Sequence, residues 1–132
     1  ITATSDCLNG PLTVSIDLKG SAGALIFDVT SKGAGVEVFQ PFELVAGADF
    51  VRTQSAVKDG DQRLDLALTQ LPQGMPVSFT IDVDDTLSDR QITVNGAEIE
   101  GASIILSQGE IKHSALFDAT ARATIDGVTC TS

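Results

Sequence analysis

Turn signals recur along this chain roughly every eight to twelve residues, and between them apolar and polar residues alternate instead of repeating at helical spacing. Side chains on an extended strand point to opposite faces in turn, so period-two runs bury one face and wet the other. No segment sustains a helical period. The pattern predicts an all-β chain, an antiparallel β-sandwich of immunoglobulin-like or jelly-roll-like type with about eight to ten short strands. Its 132 residues suit one domain with a core of its own, residues 1–132.

The run that organises the rest is Pro76 to Asp89, PVSFTIDVDDTLSD. Val77, Phe79, Ile81 and Val83 fall on one side, and Ser78, Thr80, Asp82 and Asp84 on the other. One face feeds a core while the other is acidic.

In chain order, Ile1 to Ser5 reads as a fragment of a strand whose remainder is missing or is supplied by a preceding segment or a neighbouring subunit. After the Asn9-Gly10-Pro11 turn, Leu12 to Leu18 alternates cleanly, with Leu12, Val14, Ile16 and Leu18 inward. Ala24 to Val29 is nearly continuous in apolar residues and suits a central strand. Val36 to Phe42, interrupted by Pro41, suits an edge strand or bulge. Glu43 to Arg52 reads either as short strands about Gly47 or as a helical turn.

Lys58 to Gln62 carries an Asp-Gly turn, and Leu64, Leu66 and Leu68 alternate after it. Leu71-Pro72-Gln73-Gly74 fits a type I turn with proline second. Gln91 to Asn95, Ala102 to Leu106 and the alanine-lined run from Ala115 to Ala123 are the remaining strand candidates, with turns at Asn95-Gly96 and Gln108-Gly109-Glu110. In the last run the strict alternation outweighs the helix propensity of alanine.

The net charge of −10 comes from 18 acids against 8 bases, which disfavours nucleic acid and anionic membrane as partners. An apolar content of 42% separates the chain from a disordered acidic tail. No run reaches the roughly 18 to 20 apolar residues of a bilayer-spanning helix, so no direct membrane insertion is expected. A Cys7–Cys130 disulfide would close nearly the whole chain, worth about 4 to 5 kcal/mol in the loop-entropy picture. Two reduced core cysteines are the alternative. A bridge places the chain in an oxidising compartment, extracellular, cell-surface or periplasmic. The opening at Ile1, with neither Met nor a leader-like apolar region, fits a processed precursor or an incompletely covered one.

Carboxylates concentrate between Asp82 and Glu100. Calcium takes six to eight oxygens, and Asp82, Asp84 and Asp85, with Glu98 next, are the candidate ligands. No EF-hand loop can be drawn from Asp82 onward. On one strand face Asp82 and Asp84 would lie roughly 7 Å apart, repelling by about 0.6 kcal/mol in water and about 2.4 at an effective dielectric of 20. Water absorbs the smaller figure, so a solvated acidic face is the simpler reading of the same residues.

No catalytic set emerges. His113 is the single histidine and reads as a surface residue, and no nucleophile elbow, P-loop or CxxC occurs. Paired carboxylates can hydrolyse glycosidic bonds, yet the chain has no Trp or Tyr to form a sugar platform. Of its six Phe, Phe27, Phe79 and Phe117 sit in core phase.

LPQGMPVSFTIDVD resembles the late strands of bacterial immunoglobulin-like surface modules. CLNGPLTVSIDLKGSAGALIFDVTSKGAGVEVFQPFELVAG and FTIDVDDTLSDRQITVNGAEIEGASI together resemble small secreted proteins of marine alphaproteobacteria labelled "aggregation factor core". That resemblance implies cell-surface adhesion, with a signal peptide and a further strand ahead of the position of Ile1.

Two function classes follow. One is a non-catalytic extracellular or cell-surface adhesion or structural module, stabilised by calcium and assembling by strand addition with other copies of itself or with cell-surface and matrix components. The other is a secreted or periplasmic binding domain for a small ligand or glycan. An enzyme is a distant third.

Overall fold

The computed structural model describes residues 1–4, 8–27, 42–54, 57–58, 60–84 and 96–125. Among them the chain is almost entirely β. Its strands are β1 (Leu12–Asp17), β2 (Ile26–Phe27), β3 (Glu43–Ala46), β4 (Val51–Gln54), β5 (Arg63–Leu68), β6 (Ser78–Thr80), β7 (Val83–Asp84), β8 (Ser103–Gln108) and β9 (Ile111–Leu116). Short 3-10 helices cover Ala48–Phe50 and Gly96–Ile99. No helix among the described residues is long and apolar enough to cross a membrane.

Five strands form one antiparallel sheet in the order β4-β5-β1-β8-β9, and two ribbons, β2-β7 and β3-β6, supply apolar side chains opposite it. The molecule is a β-sandwich. β1 lies at the centre of the large sheet, its Val14 opposite Leu66 on one side and Leu106 on the other. Leu12, Val14, Leu18, Leu64, Leu66 and Leu68 are buried, as the alternation predicts. Each is worth about 1.5–3 kcal/mol of hydrophobic burial.

Two apolar clusters fill the interior, one around Val14, Leu66, Leu68 and Val77, the other around Leu18, Leu25, Phe27 and Ala102. Phe42 and Phe79 pack against both, and their rings stack with centroids 4.9 Å apart. Phe79 therefore ties the ribbon layer to both halves of the core.

Several elements depart from the sequence expectation, each for a local reason. The organising run from Pro76 is not one strand: β6 pairs with β3, the chain releases at Ile81 and Asp82, and β7 pairs with β2. The Asp82 carboxylate accepts the Val83 N–H at 3.0 Å, a local side-chain bond at the break. Strands that cross between paired layers turn corners at such points. The inward set nevertheless holds, because Val77, Phe79, Ile81 and Val83 all meet the core.

The apolar run from Ala24 forms only the two-residue β2 within the described residues, and β1 takes the central place instead. Ser15, expected outward, is 1% exposed because β1 has neighbours on both sides, Asp65 and Ile105, with the Arg63 guanidinium alongside. Both readings of Glu43 to Arg52 are realised at once. Gly47, at φ 77°, lets β3 pass into the 3-10 helix and then β4, and a Cβ there would lie 2.6 Å from the Pro76 carbonyl oxygen.

The proline turn is displaced by one residue. The Met75 N–H donates to the Pro72 carbonyl, and Gly74 takes a φ of 74° at the third position. The alanine-lined run ends as a strand at Leu116. Beyond it the Asp118 carboxylate accepts the Thr120 and Arg122 N–H groups, and a turn closes with Ala121 at φ 64°. An aspartate that captures nearby amides outcompetes a ladder whose side chains are mostly alanine.

The Lys58 to Gln62 turn forms, with the Asp61 N–H on the Lys58 carbonyl. Ile1 is paired in both directions with Val77, and Ala3 accepts from Gly74. The strand expectations for Val36 to Pro41 and Gln91 to Asn95 lie outside the described residues, as does the proposed Cys7–Cys130 bridge.

Candidate functional site

The acidic segment comes first. Asp82 is half-buried at the break between β6 and β7. Asp84 sits in β7 opposite Ile26, and Asp85 lies outside the described residues. Glu98 belongs to the Gly96–Ile99 helix, where its carbonyl accepts the Gly23 N–H at 2.9 Å. A Cβ added to Gly23 would meet the Glu98 Cβ at 2.8 Å, so the glycine admits that close approach.

Asp82 and Asp84 are thus not successive outward residues of one strand. Asp82 lies in the corner and Asp84 in the strand that follows. Among the described residues no group of three or more His, Cys, Asp or Glu side chains comes together.

Two apolar clefts flank the inner face of the large sheet. One, of about 270 Å³, is bounded by Ile1, Ala3, Val14, Leu106 and Ile125; the other, of about 460 Å³, by Val77, Phe79 and Phe117. Ile1, Ile104, Ala123 and Thr124 line both. The N-terminal segment and the Ala121–Ile125 stretch form their outer walls. These clefts are lined mainly by apolar side chains, with Thr2, Thr4 and Thr124 in the first and Ser78, Arg122 and Thr124 in the second.

The sheet edges differ from one another. β4 is short, carries Arg52, and its register against β5 shifts between Val51 and Thr53, an irregularity of the kind that blunts an edge. β9 has no such interruption: from Ser103↔Leu116 to Gln108↔Ile111 its pairing with β8 is continuous. Gly109, at φ 60°, turns the chain between them in two residues, with glycine at the first central position as a II′ turn demands.

The Phe117 N–H donates to the Ala102 carbonyl at 2.8 Å. Alternation along the ladder then directs the amides and carbonyls of Lys112, Ser114 and Leu116 away from β8. All of those side chains are exposed, Leu116 at 67%. His113, half-buried opposite Leu106, lies on the core side.

This edge was not among the sequence candidates, which placed edge behaviour at Val36 to Phe42 and at the N-terminus. Its signal was present in the Gly109-Glu110 turn followed by the alternation of Lys112, Ser114 and Leu116. What the sequence lacked was any mark that β9 has no outer ladder partner among the described residues.

The fold and these surfaces define a nearly all-β sandwich with Asp82 at a corner, two apolar clefts and a regular β9 edge that has no outer ladder partner among the described residues. Comparison with protein-family models, curated protein sequences and solved structures finds no match to the chain.

Proposed function

We propose that this chain is a non-catalytic extracellular or cell-surface structural and adhesion module whose copies join by strand addition, with calcium at the acidic segment as its stabilising ion. The observation that carries the reading is the β9 edge. It is six residues in unbroken register, its outer side has no ladder partner among the described residues, and Ile111 and Leu116 stand exposed at its ends. Such an edge is a template for a further strand.

The acidic balance supports partners other than nucleic acid, and the scarcity of histidine and absence of nucleophile motifs support a role without catalysis. Secretion rests on the Cys7 and Cys130 pairing read from the sequence. The calcium component rests on the density of carboxylates around Asp82, Asp84, Asp85 and Glu98.

Light scattering over a concentration series, run beside thermal melts in calcium and in chelator, tests both components. Mass that grows with concentration supports assembly, and a chain that stays monomeric throughout rejects it. A melt raised several degrees by calcium, with the rise lost in Asp82→Ala/Asp84→Ala, supports the ion. An unchanged response in that double variant rejects the ligand assignment. Deleting Ile1 to Ser5 is a poor probe of assembly, because Ala3 belongs to the core.

A second reading, a binding domain for a small apolar ligand, is favoured by the clefts around Ile104. A hydrophobic dye bound one-to-one by the native chain and lost on Ile104→Trp would support it; no binding would reject it.

A further inference from the structure

We infer that β9 pairs with β9 of a second copy, antiparallel and centred on Ser114. This rests on the reading of the chain as one that associates by strand addition, and it names the partner and the register. The outward backbone groups of β9 belong to Lys112, Ser114 and Leu116, spaced by two. When two such edges meet antiparallel, one register alone engages all of these positions on both chains. It sets Ser114 opposite the partner's Ser114 and Lys112 opposite the partner's Leu116, and by symmetry Leu116 opposite the partner's Lys112.

That register also satisfies the side chains. It keeps the two lysines apart, and it lays the lysine stem over the 67%-exposed Leu116. On the core-side face it brings Ile111, 44% exposed, opposite the partner's Phe117. Shifting by two residues either way leaves one outward position of each strand facing a turn residue, Glu110 or Asp118. The Asp118 carboxylate is already engaged by Thr120 and Arg122.

Charge permits a second copy at this edge. The chain carries a net −10, so copies repel one another overall, yet β9 holds Lys112 and His113 and has no acid between Glu110 and Asp118. Repulsion between copies is therefore low along this strand, and added salt strengthens the pairing. An isologous contact of this kind closes at two copies, so β9 alone makes dimers and leaves filaments to a different surface.

Sedimentation equilibrium on the whole chain, with circular dichroism confirming the fold of each variant, tests the pairing. Ser114→Pro removes an outward N–H without touching the β8 ladder. Leu116→Lys sets the introduced lysine against the partner's Lys112 in both symmetric pairs and weakens association about tenfold or more. Combining it with Lys112→Glu places opposite charges in those same positions and restores association.

Concentration-dependent dimers in the wild type, lost in each single variant and regained in the double, are the expected result. Association unaffected by Ser114→Pro and Leu116→Lys overturns the β9 pairing while leaving strand addition through another edge standing. A double variant that fails to regain what Leu116→Lys lost overturns the register. A wild type that remains monomeric at every concentration overturns both this pairing and the strand-addition reading, and leaves the edge to a peptide of another protein.

Discussion

Gly20 and Gly101 meet backbone to backbone, each with a strongly positive φ, 90° and 92°. A Cβ on Gly20 would lie 3.2 Å from the Gly101 carbonyl oxygen, and one on Gly101 would run into the Gly20 carbonyl. The contact joins the loop leaving β1 to the entry of β8. Next to it the Ala22 N–H donates to the Glu100 carbonyl at 2.7 Å and the Gly23 N–H to that of Glu98. This seam locks the Gly96–Ile99 helix, and Glu98 with it, onto the sandwich.

Substitution at the seam should therefore be costly and graded. Gly101→Ala combines a left-handed backbone with a backbone clash and is expected to lose at least ~2 kcal/mol, with Gly20→Ala losing ~1–2. Gly10→Ala, where nothing lies within 4 Å of the added methyl, is the control and should stay within about 0.5 kcal/mol of wild type. Urea denaturation of the three variants checks the order.

The core and the β9 edge should respond to truncation by very different amounts. Leu66 is 1% exposed in the sheet interior, and Leu66→Ala is expected to lose about 2–5 kcal/mol. Leu116→Ala should change monomer stability by no more than about 0.5 kcal/mol. Denaturation at a concentration where the chain is monomeric separates the two.

Asp65 sets an acid-side dependence of stability. Burial opposes its ionisation, but the Ser15 hydroxyl at 2.5 Å and the Arg63 guanidinium at 3.0 Å outweigh burial and hold its carboxyl below the usual carboxylate range. A carboxyl more acidic in the folded chain stabilises it above the unfolded value of about 3.9, and that contribution fades as pH falls through the lower folded value. Stability of wild type relative to Asp65→Asn should therefore be constant from neutral pH down to about pH 5 and shrink below about pH 4. Taking the difference removes the relief of general acidic repulsion over the same range. Paired urea titrations at successive pH values give it, and a difference independent of pH would refute the pairing.

The turn after β9 carries its own test. Ala121 holds a φ of 64° that favours glycine, so Ala121→Gly should stabilise by up to ~1 kcal/mol. Asp118→Ala, which removes the acceptor of the Thr120 and Arg122 amides, should destabilise. Thermal melts of both variants measure the opposite signs.

Much of the sandwich was written into local alternation. Which face a residue presents on a strand depends on its parity alone, so Leu12, Val14, Leu64, Leu66, Leu68, Val77 and Phe79 could be assigned to the interior before any partner was known. The turns at Lys58–Asp61 and Gly109 were legible for the same reason, since glycine and aspartate act within a few residues. The acidic candidates were legible only as a cluster in sequence, because the corner at Asp82 depends on which ribbon each half of the run joins.

Strand order carried no such mark. Nothing within LTVSID distinguishes a central strand from an edge, which follows from pairing with residues scores of positions away, and nothing within IKHSAL states that its far side has no ladder partner among the described residues. Likewise the alanine-lined run stopped at Leu116 because the Asp118 carboxylate, once the chain had turned, gained more from adjacent amides than the ladder offered. Parity is a property of neighbouring bonds, whereas pairing is a competition among distant segments, and the edge on which the proposed association depends belongs to the second kind.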